Sequence, residues 1–301
     1  MIYARDEVFN VFSPAETACC RHLIDIALDE DLGTEGDLTS QLIIPTTLRG
    51  SAKIVCRSLG VISGLPAVEL VFRAIDSALV VEPMLQDGVS IENRNTVLAR
   101  ISGPMQALLT AERTALNFLQ RLSGVATLTR RYVDAVAGLP VKILDTRKTT
   151  PGWRLLEKYA VRCGGGHNHR LGLYDGVLIK DNHLAALDSG LASIRKAIDK
   201  ARSRLPATVP IEIEVESHEQ LCMALSCRPN IVLLDNMNDR QLRDAVRKRN
   251  EIAPDVELEA SGGVTLETVR AIAETGVDRI SVGALTHSAP ALDIALDYEA
   301  V

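Results

Sequence analysis

Beyond residue 140 the chain settles into a repeating pattern. A short apolar run ending in polar residues is followed by a longer stretch whose apolar positions recur three and four apart. Six such runs occur: VKILD, GVLIK, IEIEVE, IVLLD, VELEAS and RISVG. Segments with helical spacing lie between them, at 193–201, 218–225, 240–252 and 266–274. Repeating strand and helix units imply a parallel sheet, because parallel neighbours need a crossover and the helix supplies it. Such a sheet closes into a barrel or stays open. The barrel is favoured, because almost every run delivers its chemically distinctive residue at its C-terminal end: Asp145 and Arg147, Lys180, Glu216, Asp235, Ser261 and Gly283. In a closed parallel sheet those ends converge on one mouth, whereas an open sheet spreads them along an edge.

The earlier part of the chain reads as mixed α and β. Residues 16–30 carry a helical apolar pattern, and the turn-rich DLGTEGDLTS follows. Short strands are expected at 52–56 and 89–91, with a helix at 66–75 between them. Two further helices are expected at 108–122 and 125–137, separated by Ser123-Gly124. The pattern changes near residue 121, which divides the chain into an N-terminal domain, 1–121, and a C-terminal domain, 122–301.

Composition narrows the class without naming a chemistry. With 47% hydrophobic and 24% charged residues over 301 positions, the chain is globular rather than disordered or collagenous. Its N-terminus shows no basic region before an apolar run and no small-residue cleavage site, and no stretch approaches roughly 18 apolar residues. A cytoplasmic protein is expected. The six cysteines form no CxxC pair, which fits reduced thiols better than a disulfide framework.

Charge is distributed unevenly. The block Asp145–His183 holds seven Lys/Arg against four Asp/Glu, so it is net +3, and the rest of a chain of net −6 is then −9. A local island of positive charge in an acidic protein suits a small polyanion. Nucleic acid is disfavoured, since it calls for a broad basic face.

Anion-binding features recur near the C-terminus. In EASGGVTLETVR a strand ends at Ser261-Gly262-Gly263 and leads through Thr265, a candidate N-cap, into a helix. ISVGALT repeats the device with Gly283. Glycines admit close backbone approach and a helix start offers free N–H groups, and glycine turns after the last two strands are where α/β barrels often hold phosphate.

Carboxylates and cations complete the candidate set. Glu212, Glu214 and Glu216 share one strand face by the period of two, and the next strand ends in Asp235. Glu216 and Asp235, at adjacent strand ends, suit Mg²⁺, which takes one or two carboxylates plus substrate oxygens. Glu212 and Glu214 fit equally well as hydrogen-bonded acids inside a polar barrel. Arg147, Lys148, Arg170 and Lys180 fall at or just past strand ends, with His169 beside Arg170. Arg113 shares a helical stripe with Leu109 and Leu116, which aims its charge into a packed surface in need of a carboxylate from a salt bridge or a substrate. Cys163, His167 and His169 form C-x3-H-x-H, but no fourth ligand lies nearby and the surrounding cations oppose zinc. No nucleophile elbow, P-loop or dinucleotide fingerprint is present in its required context.

Taken in order, AERTALNFLQRLSGVAT, the 39-residue block DTRKTTPGWRLLEKYAVRCGGGHNHRLGLYDGVLIKDNH, EVES, VLLDN, EASGG and ISVGALT resemble the quinolinate phosphoribosyltransferases over residues from about 108 to 290. The resemblance implies an α/β fold in which an N-terminal α/β sandwich precedes an α/β barrel of the type II phosphoribosyltransferase kind. It implies dimers or multiples of dimers, and transfer of phosphoribose from phosphoribosyl pyrophosphate to quinolinate. Carbon dioxide is lost, and nicotinate mononucleotide is made for NAD synthesis.

By position, the resemblance assigns Arg113 to the quinolinate of the neighbouring subunit. Arg147, His169, Arg170 and Lys180 line the dicarboxylate pocket, and Thr146 is a further substrate-binding residue. Lys148, Glu216 and Asp235 serve the donor, its Mg²⁺ and catalysis, while Ser261, Gly262, Gly263 and Gly283 hold the 5′-phosphate, with Ser281 and Val282 as further substrate-binding residues. One departure stands out: the interval from Glu216 to Asp235 is about two residues shorter than the family pattern.

Overall fold

Polar caps and turns set the first elements. Ser13 opens α1 (Pro14–Leu32) with a capping box, its hydroxyl accepting the Glu16 N–H at 3.3 Å while the Glu16 carboxylate accepts the Ser13 N–H at 2.8 Å. Asp37 caps α2 (Leu38–Ile43). Next come β1 (Arg49–Cys56), β2 (Gly60–Val61), α3 (Leu65–Ile75), β3 (Val80–Pro83), β4 (Ser90–Ile91), β5 (Thr96–Pro104) and α4 (Met105–Ala135). The regular part brings β6 (Lys142–Leu144), α5 (Arg154–Cys163), β7 (Val177–Ile179), α6 (Asp181–Ala185), α7 (Leu191–Arg204), β8 (Ile211–Val215) and α8 (His218–Cys227). It ends with β9 (Ile231–Asp235), α9 (Asp239–Ile252), β10 (Glu257–Ser261), α10 (Val269–Ala273), β11 (Arg279–Ser281), α11 (Ala284–His287) and β12 (Ile294–Glu299). This computed structural model describes residues 11–187 and 190–299. The described residues form two units, one of 11–130, 149–165 and 285–299, the other of 131–148, 166–187 and 190–284.

In the first unit an antiparallel sheet runs in the order β12-β1-β5-β3. Ala52 and Ile54 of β1 and Leu98, Ala99 and Ile101 of β5 are buried, as are Leu65, Val68, Val71 and Phe72 of α3. The helix expected at 66–75 and the strand expected at 52–56 are both present. The sheet also contains β3, β5 and β12, which local pattern does not mark, and β12 pairs with β1 across almost the whole chain, Leu296 opposite Ile54.

The two helices expected at 108–122 and 125–137 are one. Ser123-Gly124 lies inside α4 because it is a packing point rather than a break. The Ser123 hydroxyl accepts the Ser63 N–H at 3.0 Å and donates to the Ser63 carbonyl, while a Cβ on Gly124 would stand 2.1 Å from the Pro290 oxygen. The buried stripe of α4 is Leu108, Ala111, Ala115, Leu119 and Leu122. Arg113 lies between the buried Ala111 and Leu116 on α4 and is exposed on the single chain.

The basic block is also divided. Of its seven cations, Arg154, Lys158 and Arg162 ride on α5, in the first unit. Arg162 pairs with Glu16 at 2.5 Å. The fully buried Glu157 accepts from Arg121 Nη2 at 2.6 Å and from the Thr150 N–H and hydroxyl at 3.1 and 2.9 Å. Arg121 also donates to the carbonyls of Ala289 and Thr286. A buried carboxylate needs this full set of donors.

All six strands expected after residue 140 are present in the second unit, hydrogen-bonded in the order β6-β11-β10-β9-β8-β7 and parallel throughout. His167 adds an extended bridge to Leu144. Alternation sorts the side chains. One face carries Ile143, Ile179, Ile213, Val232, Leu234, Leu258 and Ile280, all buried. Among the covering helices, α7 buries Ile194 and Ile198, α8 buries Leu221 and Leu225, and α9 buries Leu242.

The opposite face is polar, and its side chains meet across the sheet. His169 Nε2 lies 3.1 Å from Glu212 of β8 and 3.3 Å from Glu259 of β10, two strands that are not neighbours. This polar face is the inner face of the α/β barrel, across which Glu212 and Glu259 reach one imidazole from either side of β9.

Candidate active site

Strand register assigns the site its shape. Lys180 follows Ile179, which pairs with Ile213, so it stands level with Glu214. Asp235 pairs with Ser261, and carrying the Val215 to Leu234 pairing one residue further sets Glu216 beside Asp235. Ser281 pairs with Leu144. By the period of two, Lys180, Glu214, Glu216, Asp235, Ser261 and Ser281 all fall on the inner face, at the C-terminal ends of their strands. Thr146, Arg147 and Lys148 continue from β6, and Val282 and Gly283 continue from β11. The second unit thus gathers every sequence-derived site residue except Arg113, which belongs to the first unit.

Local bonding holds the cationic side. Asp145, fully buried, accepts Asn168 Nδ2 at 2.7 Å and the His169 N–H at 2.8 Å, which pins the His169-Arg170 turn to the end of β6. The Thr146 hydroxyl accepts the Lys148 N–H at 3.0 Å. Arg170 donates to the Gly176 carbonyl at 3.2 Å. Burial, and next the positive charge of Arg147, lower the Arg170 pKa, so two guanidiniums are held close enough to repel. An anion with two carboxylates relieves that repulsion.

The acidic side differs from expectation in one respect. Lys180 Nζ pairs at 3.0 Å with Glu214, whose side chain is 10% exposed, whereas Glu216 is exposed just beyond β8, its N–H bound by Gln220 Oε1. Counting from Glu214 instead of Glu216 adds the two residues by which the interval to Asp235 was short. Glu214 stands at the inner edge with Lys180, alongside Glu216 and Asp235. Glu212 takes the other role considered for it, a buried acid inside the barrel.

The glycine turns are tighter than expected. Gly262 has φ +97°, and a Cβ there would stand 2.2 Å from Asn236 Oδ1. Asn236, itself at φ +53°, donates its N–H to the Ser261 carbonyl and its Nδ2 to Asp235 at 2.7 Å. Gly262 thus makes room for the residue that holds Asp235. Thr265 does not cap a helix. α10 begins only at Val269, because Thr265-Thr268 forms a turn in which the Thr268 hydroxyl accepts the Thr265 N–H at 3.0 Å.

Two metal readings separate on donor chemistry. Of the C-x3-H-x-H residues, His169 is engaged by glutamates, its Nε2 3.1 Å from Glu212. His169, Glu212 and Glu259 come within metal-ligating distance of one another, but Arg279 already donates to Glu259 at 2.8 Å and supplies the positive charge. Glu216 and Asp235 are hard oxygen donors at accessible strand ends, which fits Mg²⁺.

Fold and edge together define an α/β-barrel enzyme for anionic substrates. The family model described as the C-terminal domain of quinolinate phosphoribosyl transferase matches residues 125–297, and that of its N-terminal domain matches residues 37–123. The chain belongs to the quinolinate phosphoribosyltransferase family. It is 45% identical over 269 residues, 89% of each chain, to a probable nicotinate-nucleotide pyrophosphorylase [carboxylating] of Bacillus subtilis (strain 168). To the nicotinate-nucleotide pyrophosphorylase [carboxylating] of Mycobacterium leprae (strain TN) it is 44% identical over 290 residues, 95% of this chain and all of that one. The structure of the nicotinate-nucleotide pyrophosphorylase from Francisella tularensis superposes with a TM-score of 0.88 at 37% identity, covering 98% of this chain and 100% of that one. No helix among the described residues is long and apolar enough to cross a membrane.

Proposed function

We propose that this chain transfers phosphoribose from phosphoribosyl pyrophosphate to the ring nitrogen of quinolinate, with loss of carbon dioxide, giving nicotinate mononucleotide for NAD synthesis. The observation that carries the reading is the inner edge of the barrel, where Arg147, Arg170 and Lys180 stand alongside Glu214, Glu216 and Asp235. Fixed cations hold both carboxylates of the pyridine and aim its nitrogen at the anomeric carbon. As pyrophosphate leaves, the ribose becomes cationic, and the strand-end carboxylates stabilise it. Lys148 faces the departing phosphates. Mg²⁺, held by Glu216 and Asp235 partly through water, supplies further positive charge there when bound. Ser261, Gly262, Gly263, Ser281, Val282 and Gly283 cradle the 5′-phosphate. Once the nitrogen is quaternary, carbon dioxide departs and leaves the electron pair of the broken carbon–carboxylate bond on the adjacent ring carbon, where the cationic nitrogen stabilises it until that carbon takes up a proton from water. No protein nucleophile is needed.

The same reading makes the protein a cytoplasmic homodimer, or a multiple of dimers, in which the exposed Arg113 reaches the quinolinate of the neighbouring subunit. Purified protein incubated with phosphoribosyl pyrophosphate, Mg²⁺ and quinolinate should yield nicotinate mononucleotide and pyrophosphate, and nicotinate in place of quinolinate should yield none. Product from nicotinate alone would replace this reading with that of a nicotinate enzyme, whose monoanionic substrate needs fewer cations.

Gly262→Ala tests the donor side. The new methyl group strains a backbone at φ +97° and displaces Asn236 from Asp235. A roughly tenfold rise in KM for phosphoribosyl pyrophosphate is expected, equivalent to about 1.4 kcal/mol of lost donor binding, with KM for quinolinate little changed. Steady-state kinetics with each substrate varied in turn reads the difference.

A further inference from the structure

We propose that His169 is a positioning residue: clamped inside the barrel between Glu212 and Glu259, it sets Arg170 for the pyridine dicarboxylate and does not itself hydrogen-bond the substrate. The inference rests on the functional reading above and changes the role that reading gives to His169. Both ring nitrogens are committed within the protein. Nδ1 accepts the backbone N–H of Arg170 at 2.8 Å, and Nε2 faces Glu212 at 3.1 Å and Glu259 at 3.3 Å. Those glutamates lie below the mouth. Glu212 precedes Glu214 by two residues and Glu259 precedes Ser261 by two, which at about 3.3 Å per residue puts both about 7 Å down their strands. Nε2 therefore points inward, away from the edge where the substrate-binding groups stand.

The charges around the ring explain why the clamp is rigid. Glu212 from β8 and Glu259 from β10 are both buried. Arg279 from β11 neutralises Glu259 at 2.8 Å and also reaches Glu257 at 3.1 Å, and the Ser281 hydroxyl bonds Glu259. From the end of β6, Asp145 accepts the His169 backbone N–H, and the nearby cations are Arg147 and Arg170. Leu178 of β7 and Leu233 of β9 face the same interior and add no charge.

One negative charge is thus left over, and the cluster keeps one proton beyond a neutral imidazole and two carboxylates. Burial works against a charged His169, but hydrogen bonds to Glu212 and Glu259 and their charges outweigh it and raise its pKa to about 9. Burial likewise raises Glu212. The Arg170 N–H disfavours a proton on Nδ1, so the ring keeps its own proton on Nε2 and the extra proton is held on the glutamate pair, foremost on the buried Glu212, its loss belonging to the cluster as a whole. Because the folded value lies above that of a free histidine, about 6.5, the clamp is intact below that pH and is lost as pH rises through about 9.

The test combines a titration with kinetics. In free enzyme labelled with ¹⁵N at histidine, the His169 ring should titrate near pH 9, and Glu212→Gln and Glu259→Gln should both bring that titration down. Saturating quinolinate at neutral pH should leave the Nε2 shift in place. In kcat/KM for quinolinate the alkaline limb should move down in the same variants and KM for quinolinate rise roughly tenfold, with KM for phosphoribosyl pyrophosphate within about twofold. A quinolinate-induced shift at Nε2, or variants whose alkaline limb stays in place, would overturn the positioning role. Failure of the wild-type enzyme to turn over quinolinate would instead overturn the functional reading, while the ring titration in free enzyme still reports on the clamp.

Discussion

Lys180→Ala is expected to lower kcat/KM for quinolinate roughly 10²- to 10³-fold, a loss of about 3–4 kcal/mol of transition-state binding, with the circular dichroism spectrum unchanged. Two effects of the same sign add. The ammonium that meets a substrate carboxylate is lost, and Glu214, which it neutralises at 3.0 Å, is left with its charge facing a dianion. The fold should not suffer, because Lys180 is 47% exposed and an exposed ion pair contributes little to stability. Glu214→Gln separates the two effects. It retains the cation and removes the repulsion, so binding of quinolinate holds or tightens while kcat falls through weaker support of the ribosyl cation. Arg147→Ala should resemble Lys180→Ala, since Arg147 stands beside Arg170 and both are set for one dianion. Activity near wild type in Lys180→Ala or Arg147→Ala would remove these residues from the acceptor pocket.

What the sequence makes legible here is what depends on local period. Six strands and the face on which Glu212, Glu214 and Glu216 lie follow from alternation, and the strand ends then assemble an edge without knowledge of any distance. Long-range pairing is illegible for the opposite reason. IALDYE becomes β12 only because β1, some 240 residues earlier, offers an edge, and nothing near it in sequence records that partner. The basic block shows a third case. Its seven cations look like one island, yet α5 carries three of them into the first unit, where Arg162 balances Glu16. Net charge counts residues but does not say which buried carboxylates already use them. The depth of His169 was hidden as well, because sequence places it beside Arg170 and says nothing about the two glutamates that face its ring.

Gly124→Ala should destabilise the protein although it replaces glycine by a better helix former. In an exposed helix that exchange is favourable by about 1 kcal/mol. Within α4 the added methyl carbon would stand 2.1 Å from the Pro290 oxygen, 3.0 Å from its carbonyl carbon and 3.2 Å from the Ala291 Cα, all backbone atoms that no rotamer change can move aside. Either the helix or the segment leading into β12 must shift. Overpacking of this kind costs about 1–3 kcal/mol or more, enough to reverse the sign of the propensity gain. The displacement also acts on neighbours: Arg121, one turn earlier in α4, bonds the Ala289 and Thr286 carbonyls and the buried Glu157, so a shift at Pro290 loosens a charged network that cannot be left unpaired. A fall in thermal midpoint of about 4–8 °C is expected by calorimetry, from a net loss of about 2 kcal/mol at the usual 2–4 °C per kcal/mol for large domains. A midpoint equal to or above that of the wild type would mean that helix α4 is free to move there, and that Ser123-Gly124 is the break its composition suggests.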